Sequence, residues 1–254
     1  MITPQETAEL VDQCRARLER AGLTGSYLVR DLVSGKELGV DTDRVVPLAS
    51  LAKVPLALAV MERIRQGRLD GAARLRIPPG QVTTPGPTGT TRFRHVADIA
   101  VEDALSMAVT ISDNAAADAL FDLVSPTEVT QTLTGWGVEG LVLREKFSEL
   151  TQTPVETLPR QDTDLAHTIA IGSGTGGGGH RLAQLDLTRT NTGTAKALVD
   201  LLEAMWGPRD SHPPEVPLRA GLHPHDAARR PDSEGTTGID PWVFAEVRAL
   251  MAAN

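Results

Sequence analysis

The sequence predicts a mixed α/β (α+β) fold, in which an early antiparallel β-hairpin is followed by a series of helices. Two short apolar segments, at residues 25–32 and 36–40, flank a turn that contains glycine, as is typical of a hairpin. Amphipathic segments with apolar residues three or four apart predict the helices. Apolar residues make up 41% and charged residues 23% of the 254 residues, so the chain can bury a globular core.

The first helix is predicted to begin at Thr3, whose hydroxyl would cap it. Pro4 suits the first turn, and Glu6 would complete a capping box. Gly22 is predicted to end this helix. The hairpin follows, so residues 1–47 are predicted to form a unit of one helix and one hairpin.

Helices are predicted to dominate the remainder of the chain. Periodic apolar residues predict helices over residues 48–69, 101–109, 115–124, 191–206 and 242–251. A loop rich in Pro, Gly and Thr is expected over residues 76–91. Residues 207–240 hold six prolines and three of the six histidines, and are expected to form an extended, solvated insertion. The predicted units are therefore 1–47, 48–206, 207–240 and a C-terminal helix over 241–254.

Charge and cysteine content exclude several classes of function. Lys and Arg number 25 against 33 Asp and Glu, so the net charge is −8 and nucleic acid is not an expected partner. The single cysteine, Cys14, excludes an internal disulfide and a zinc site of paired cysteines. The polar N-terminus does not resemble an export signal, and no stretch reaches the ~18 consecutive apolar residues of a membrane span. We therefore expect a cytoplasmic chain that contacts no membrane.

A serine and a lysine three positions apart mark the start of the apolar helix predicted over residues 48–69. The spacing places Ser50 and Lys53 on one helix face, within reach of a hydrogen bond. A buried lysine near a helix N-terminus has a lowered pKa and can act as the base that a serine nucleophile needs. The alternative interpretation is a helix-capping serine followed by a surface lysine.

A second polar cluster, Ser112-Asp113-Asn114, lies between two apolar helical segments. Such residues are costly to bury unless they are hydrogen-bonded, so they belong at a helix junction or at a site. The junction interpretation has Ser112 or Asp113 capping the helix that begins at Ala115. Ser-x-x-Lys and Ser-Asp-Asn occur together in serine β-lactamases and penicillin-binding proteins, which favours the site.

The paired motifs resemble those of the class A serine β-lactamase and penicillin-binding protein family. Residues 41–55 and 104–118 carry the resemblance, which extends over roughly residues 4–206. The resemblance implies a three-layer sandwich, with an antiparallel sheet flanked by helices and an all-helical lobe inserted between early and late strands. It also implies a β-lactam, or a related amide or ester, as the small-molecule substrate of a monomer with no metal or cofactor. Relatives are usually periplasmic or secreted.

The resemblance also assigns roles to four residues. Ser50 would be the nucleophile and Lys53 its proton acceptor. Ser112 would pass a proton to the departing nitrogen, and Asn114 would orient Lys53 and the substrate. We therefore expect a serine hydrolase of the class A β-lactamase type that works through an acyl-enzyme on Ser50.

The C-terminal part of the family pattern is missing from this sequence. The family has a Lys-Thr-Gly strand, whereas the nearest match here, residues 236–238, lacks the lysine. In the family, three more strands and a closing helix follow a helix like that predicted over 242–251, so we expect the late strands to be absent. Two alternatives to the hydrolase remain. One is a penicillin-binding or esterase-like protein with slow deacylation, and the other is a non-catalytic truncated remnant or binding module.

Deacylation in class A enzymes uses a glutamate in a Glu-x-x-Leu-Asn context after the second motif. Glu145 and Glu149 lie in the corresponding region, but neither has Leu-Asn at that spacing. Glu149 is nearer the expected distance from Ser112 and is the candidate. The alternative is that both are solvated loop carboxylates.

Two further patterns suggest other chemistry. Residues 172–177 satisfy Gly-x-Gly-x-x-Gly, a dinucleotide-binding pattern, but no suitable helix follows them, so a flexible linker is the better interpretation. His223, His225 and Asp226 offer metal-ligand types, but they lie in the proline-rich insertion, where solvated histidines are expected. Neither pattern changes the prediction that no cofactor or metal is needed.

Overall fold

Helices and short strands alternate along the chain in the computed structural model, which describes residues 4–79, 88–150, 179–180, 182–207 and 239–253. The α-helices of these ranges are α1 (Pro4–Arg20), α2 (Lys53–Arg65), α3 (Val101–Thr110), α4 (Asn114–Phe121), α5 (Pro126–Gly135), α6 (Phe147–Leu150), α7 (Ala195–Trp206) and α8 (Pro241–Ala252). The strands are β1 (Tyr27–Arg30), β2 (Glu37–Val40), β3 (Val46–Pro47), β4 (Arg74–Ile77), β5 (Ala97–Ala100), β6 (Leu141–Val142) and β7 (Thr192–Gly193). Within these ranges, no helix has the length and hydropathy needed to cross a bilayer. The predicted cap Thr3 lies outside the described residues.

The predicted N-terminal hairpin is confirmed, although both strands are shorter than expected. Strands β1 and β2 pair antiparallel, with Tyr27 opposite Val40 and Arg30 opposite Glu37. Gly35 in the turn has φ +68°, a left-handed conformation that glycine adopts without steric cost. Helix α1 packs against β2 and helix α7 packs against β1, so the hairpin is held between an early and a late helix.

A three-stranded antiparallel sheet has β7 in its centre, between β3 and β6. The prediction of a helix from residue 191 is wrong for residues 191–194, because Thr192 and Gly193 pair with strands on both sides and the helix begins at Ala195. Close packing requires a glycine here. A Cβ on Gly193 would lie only 2.7 Å from side-chain carbons of Leu48 and Leu141. This sheet therefore fixes Leu48, two residues before Ser50.

The family resemblance implied an all-helical lobe over residues 48–206, but this segment also contains strands. Strands β4 and β5 form a further antiparallel pair, and β6 and β7 also lie in this segment. The predicted loop over 76–91 is wrong at its start because Leu75 and Ile77 are buried between exposed arginines, the alternation of a half-buried strand. Residues 80–87 of that loop lie outside the described residues, and so does most of the predicted 207–240 insertion.

Helix α2 is the centre of the core. Its side chains are almost all buried, with Leu56, Leu58 and Val60 at 0% exposure. Helices α3, α4, α5 and α8 all pack against it. Its first residue is Lys53. The core helix thus holds the predicted base at a rigid position.

An arginine in β1 links the hairpin to helix α7. The Arg30 guanidinium contacts Glu37 at 2.5 Å, Asp200 at 2.7 Å and Glu203 at 2.5 Å, and its side chain is only 9% exposed. These hydrogen bonds, that of Asp200 foremost, raise the pKa of Arg30. These ion pairs of Arg30 join the N-terminal hairpin to helix α7.

We expect Arg30→Met to lower the free energy of unfolding by about 1–2 kcal/mol, because three half-exposed carboxylates lose their shared partner. Arg74→Met is the matched control. Arg74 pairs with Asp98, both side chains are more than half exposed, and its loss should cost about 0–1 kcal/mol. Urea unfolding followed by circular dichroism measures both. Equal losses for the two variants would contradict a special role of Arg30.

Candidate active site

Ser50 lies in a single turn of 3-10 helix, Ala49–Ala52, that runs directly into α2. Ser50 is exposed, so small molecules can reach its hydroxyl. The preceding residue, Ala49, has φ +47°, a conformation that costs a non-glycine residue on the order of 1–3 kcal/mol. The Leu48 N–H donates to the Asn191 carbonyl oxygen at 2.8 Å, which fixes the chain just before this turn. The surrounding packing therefore holds Ser50 in a strained, exposed turn.

The Lys53 ammonium group is buried at 2% exposure and has three hydrogen-bond acceptors. Nζ donates to the Ser112 carbonyl oxygen at 2.6 Å, to Ser112 Oγ at 2.9 Å and to Asn114 Oδ1 at 2.7 Å. An ammonium group has three N–H donors, and all three are used here. Lys53 is thus firmly placed between the first helix turn and the Ser-Asp-Asn segment.

Ser112 connects the lysine to the candidate nucleophile. Its Oγ donates to Ser50 Oγ at 2.8 Å and accepts from Lys53 Nζ. The described residues offer Ser50 Oγ no other side-chain hydrogen bond. Ser112 has φ +58°, a strained backbone conformation of the kind that occurs at functional sites. The three side chains form one continuous chain, Ser50–Ser112–Lys53.

Burial changes the proton affinity of Lys53. Desolvation lowers the pKa of Lys53 to about 8, although the nearby carboxylates Asp113 and Asp118 act in the opposite direction. The Phe147 ring lies 4.6 Å from Nζ and also favours the charged form. With a pKa of about 8, roughly a tenth of the lysine is neutral at pH 7. A neutral fraction of this size is sufficient for a base.

Asp113 anchors the Ser-Asp-Asn segment. Its carboxylate is fully buried and caps helix α4. It accepts five hydrogen bonds, from Ala115 N, Ala116 N, Thr90 N, Thr90 Oγ1 and Thr91 Oγ1. The junction interpretation and the site interpretation therefore both hold, because Asp113 caps the helix while the residues on either side of it contact Lys53.

Glu149 is not part of the hydrogen-bonded cluster. It is exposed on the short helix α6. A hydrogen bond with Glu149 raises the pKa of Glu145. No described hydrogen bond joins either of them to Ser50 or Lys53. The structure thus brings together Ser50, Lys53, Ser112 and Asn114, and leaves Glu149 on a neighbouring helix.

Sequence analysis did not single out Asp118 or Phe147, which border the site. Asp118 accepts from Phe147 N at 2.7 Å and Ser148 N at 2.8 Å, and burial raises the pKa of Asp118. These bonds fix α6 so that the Phe147 ring lies over Lys53. The sequence did contain a pattern that points to Asp118. This residue lies one helical turn after Asn114 and is the only acidic residue of the alanine-rich helix α4.

Asn191 joins three segments near the site. Its Oδ1 accepts from Arg144 N at 2.7 Å and Glu145 N at 3.1 Å, and its Nδ2 donates to the Glu145 carbonyl oxygen at 3.0 Å. Its own carbonyl oxygen accepts from Leu48 N. The segment that carries the two glutamates is thereby tied to the segment that carries Ser50.

The other patterns considered above lie outside the described residues. These are the glycine-rich segment 172–177, the group of His223, His225 and Asp226, and the Thr-Thr-Gly string at 236–238. In the part of the chain that the structure describes, no group of three or more His, Cys, Asp or Glu side chains is placed to hold a metal ion.

The Ser-x-x-Lys and Ser-Asp-Asn motifs are in hydrogen-bond contact, and a protein-family model also matches the chain. The model of the β-lactamase enzyme family matches residues 9–213. This chain belongs to that family. The family resemblance and the mixed helix-and-sheet fold predicted from the sequence are thus confirmed.

A curated relative and several solved structures are similar to the chain. The β-lactamase regulatory protein BlaB of Streptomyces cacaoi is 50% identical over 245 residues, which are 96% of this chain and 73% of the relative. An ancestral class A β-lactamase aligns with a TM-score of 0.60 at 20% identity, over 96% of this chain and 71% of its own.

Two further structures share the fold over a smaller part of their length. A β-lactamase from Chitinophaga pinensis aligns with a TM-score of 0.57 at 20% identity, over 78% of this chain and 62% of its own. A mutant of the penicillin-binding protein PBP-A, solved as an acyl-enzyme complex with penicillin G, aligns with a TM-score of 0.55 at 22% identity, over 78% of this chain and 61% of its own. This chain thus spans less than two thirds of either protein.

Proposed function

We propose that this protein reacts with β-lactams, or with related amides and esters, to form an acyl-enzyme on Ser50. The observation that carries the proposal is the chain Ser50–Ser112–Lys53, in which an exposed hydroxyl is linked through one hydroxyl to a buried lysine. A serine hydroxyl needs such a base to become a nucleophile near neutral pH. Membership of the β-lactamase family supports the same chemistry.

The substrate class follows from the reaction that the cluster can support. The Ser50 oxygen would attack a carbonyl carbon, and the ring nitrogen of a lactam would then leave with a proton. Asn114 would present its amide to the substrate while its oxygen stays on Lys53. The Ser50 backbone N–H lies in the 3-10 turn that leads into α2 and would face the developing oxyanion.

A second candidate function is acylation followed by slow deacylation. It is favoured by the surroundings of Lys53, whose three donors are all used and whose Nζ is covered by the Phe147 ring. The hydrogen bonds described for Lys53 Nζ and Ser50 Oγ involve neither Glu145 nor Glu149. If neither glutamate activates the deacylating water, deacylation should be slower by about 10²–10⁴-fold. The Streptomyces cacaoi relative is named a regulatory protein and not a β-lactamase, which leaves rapid hydrolysis open to test.

We expect a labelled penicillin to attach to Ser50 and to remain attached. Intact-protein mass spectrometry over time, with peptide mapping and a reporter lactam, measures attachment and release, and Ser50→Ala is the control. A persistent adduct supports the second candidate, and rapid release with reporter hydrolysis supports the hydrolase. If wild type forms no adduct and causes no hydrolysis, the protein is a non-catalytic binding module. Undiminished labelling of Ser50→Ala would contradict the nucleophile assignment.

A further inference from the structure

We propose that the candidate site reacts fastest with neutral acyl donors that carry an apolar acyl group, and more slowly with lactams that carry a free carboxylate. This inference rests on the proposed acylation of Ser50 and narrows its substrate class. Two features of the described residues support it. One is a pair of exposed apolar side chains beside the serines, and the other is a pair of carboxylates near Lys53.

An exposed apolar surface borders the two serine hydroxyls. Leu51 directly follows Ser50 and is 54% exposed, and Ile111 directly precedes Ser112 and is 45% exposed. Neighbouring Cα atoms are about 3.8 Å apart, and the two hydroxyl oxygens are in contact at 2.8 Å. Both apolar side chains therefore begin one residue away from the reacting oxygen or its partner. We call Leu51 and Ile111 the apolar rim.

Ile111 is fixed in position although its side chain is exposed. Thr88 Oγ1 donates to the Ile111 carbonyl oxygen at 2.5 Å. The side chain lies against Gly89, where a Cβ would be only 2.9 Å from Ile111 Cδ1. The neighbouring Thr90 is in turn held by the buried Asp113 carboxylate. An apolar group held in this way loses little conformational freedom when a ligand covers it.

The acyl part of the substrate is the part that the apolar rim can contact. After attack, the acyl carbon is bonded to Ser50 Oγ, so its substituent stays within a few ångströms of the rim. A fully buried methylene strengthens binding about fourfold, and a methylene that lies on a surface with one open side gains about half of that. The rim therefore favours acyl groups with an alkyl or aryl chain.

The charges around Lys53 disfavour an anionic substrate. The two charged groups that act on the pKa of Lys53 are both carboxylates, Asp113 and Asp118. Lys146 also acts on Asp118, but it is paired with Asp122 and adds no net charge. Because Lys53 must be neutral to act as the base, it does not compensate the two carboxylates at the moment of reaction.

A substrate carboxylate also finds no free donor on the lysine. All three N–H groups of charged Lys53 are used by Ser112 and Asn114. In the described part of the chain, no second Lys or Arg side chain hydrogen-bonds to Ser50, Ser112 or Asn114. Repulsion between like charges about 8 Å apart, at an effective dielectric constant of about 20, slows a reaction by about tenfold or more.

The reaction with an ester balances in the same way as that with a lactam. The Ser50 oxygen bonds to the acyl carbon while Lys53 holds the proton of the hydroxyl. The carbonyl electron pair moves to its oxygen and then returns. The bond from the acyl carbon to the ester oxygen breaks, and the alcohol leaves with the proton that Lys53 held.

Benzylpenicillin and its methyl ester test the charge preference, because the methyl group removes the negative charge and leaves the lactam and its side chain unchanged. Intact-protein mass spectrometry at pH 7 gives the rate of adduct formation on Ser50, divided by the hydrolysis rate of each compound without protein. We expect the methyl ester to react about tenfold faster or more. An equal or slower reaction of the methyl ester would overturn the proposal.

Asp118→Asn assigns the charge preference to this carboxylate. The substitution removes one negative charge and keeps an acceptor oxygen for the backbone of helix α6. We expect the rate ratio of methyl ester to benzylpenicillin to fall by about threefold. The ratio does not depend on how much of the variant is active, so a partly unfolded preparation does not imitate the effect. An unchanged ratio would contradict the electrostatic argument.

Nitrophenyl esters of acetate, butyrate and hexanoate test the apolar rim. After subtraction of the rate for Ser50→Ala, we expect acylation of the wild type to accelerate by about twofold per methylene. The double variant Leu51→Ser with Ile111→Ser should lose most of this dependence. Leu202→Ser is the matched control, since Leu202 is 40% exposed on helix α7, and it should keep the dependence. An unchanged dependence in the double variant would refute the role of the rim.

The same probes separate this proposal from the proposed function. If every probe acylates Ser50 at the same normalised rate, acylation stands and the substrate preference is wrong. If no probe acylates Ser50, both the proposed function and the preference are refuted. Acylation by the neutral probes with slow or absent reaction of benzylpenicillin supports the preference.

Discussion

Lys53→Arg is expected to slow acylation of Ser50 by about 10²–10⁴-fold at pH 7. The guanidinium keeps the positive charge but does not release a proton near neutral pH, so it cannot act as the base. Lys53→Met removes the charge as well and should slow the reaction by a similar factor. Quenched reactions analysed by mass spectrometry give the rates. Lys196→Arg is the control, because Lys196 is exposed on helix α7 and pairs with Asp200 outside the site.

If neutral Lys53 is the base, the rate of acylation should rise with pH. Because the neutral lysine is the base and burial lowers the pKa of Lys53 to about 8, acylation should accelerate by about tenfold per pH unit below pH 8. Above that pH the rate should level off. A rate that is flat between pH 6 and pH 8, or near-normal acylation by Lys53→Arg, would show that another group accepts the proton.

Asp113→Ala is expected to lower the free energy of unfolding by about 3 kcal/mol or more. The substitution leaves the buried backbone N–H groups of Thr90 and Ala116 without their acceptor, and each unsatisfied group costs about 1–3 kcal/mol. It also removes the anchor of Ser112, so any folded fraction should acylate slowly.

Denaturant unfolding and acylation rates test this prediction, with Asp240→Ala as the control. Asp240 caps helix α8 by accepting one hydrogen bond from Trp242 N, lies 3.8 Å from the Arg65 guanidinium and is less deeply buried. Loss of a helix cap of this kind costs about 1 kcal/mol. If Asp113→Ala cost no more than the control, Asp113 would be only a helix cap.

The contacts among Ser50, Lys53 and the Ser-Asp-Asn segment were predictable because short motifs carry them. The spacing of Ser50 and Lys53 put both side chains near the same helix start, but the direct hydrogen bond that it suggested is not among the contacts of Lys53 Nζ, which go to Ser112 and Asn114. The approach of Ser112 to Ser50, 62 positions apart, followed from the family resemblance rather than from local spacing. The hairpin was predictable for a local reason too, since its turn and both strands lie within 14 consecutive residues.

Contacts between distant segments escaped prediction. The sequence analysis extended helix α7 back to residue 191, yet Thr192 and Gly193 form the central strand, because two other strands pair with them. The Phe147 ring lies over Lys53 because Asp118 holds the backbone of α6, a contact 29 positions apart.

The position of Asn191 has a consequence for folding. Its bond to Leu48 closes a loop of 143 positions (191 − 48), whereas its bond to Arg144 spans 47 positions. Closing a long loop carries the larger entropic cost, and contacts of high sequence separation slow folding. The helical hairpin of α3 and α4 can therefore form early. We expect the strained turn that carries Ser50 to take its final shape late in folding, after the segment near residue 191 has docked on Leu48.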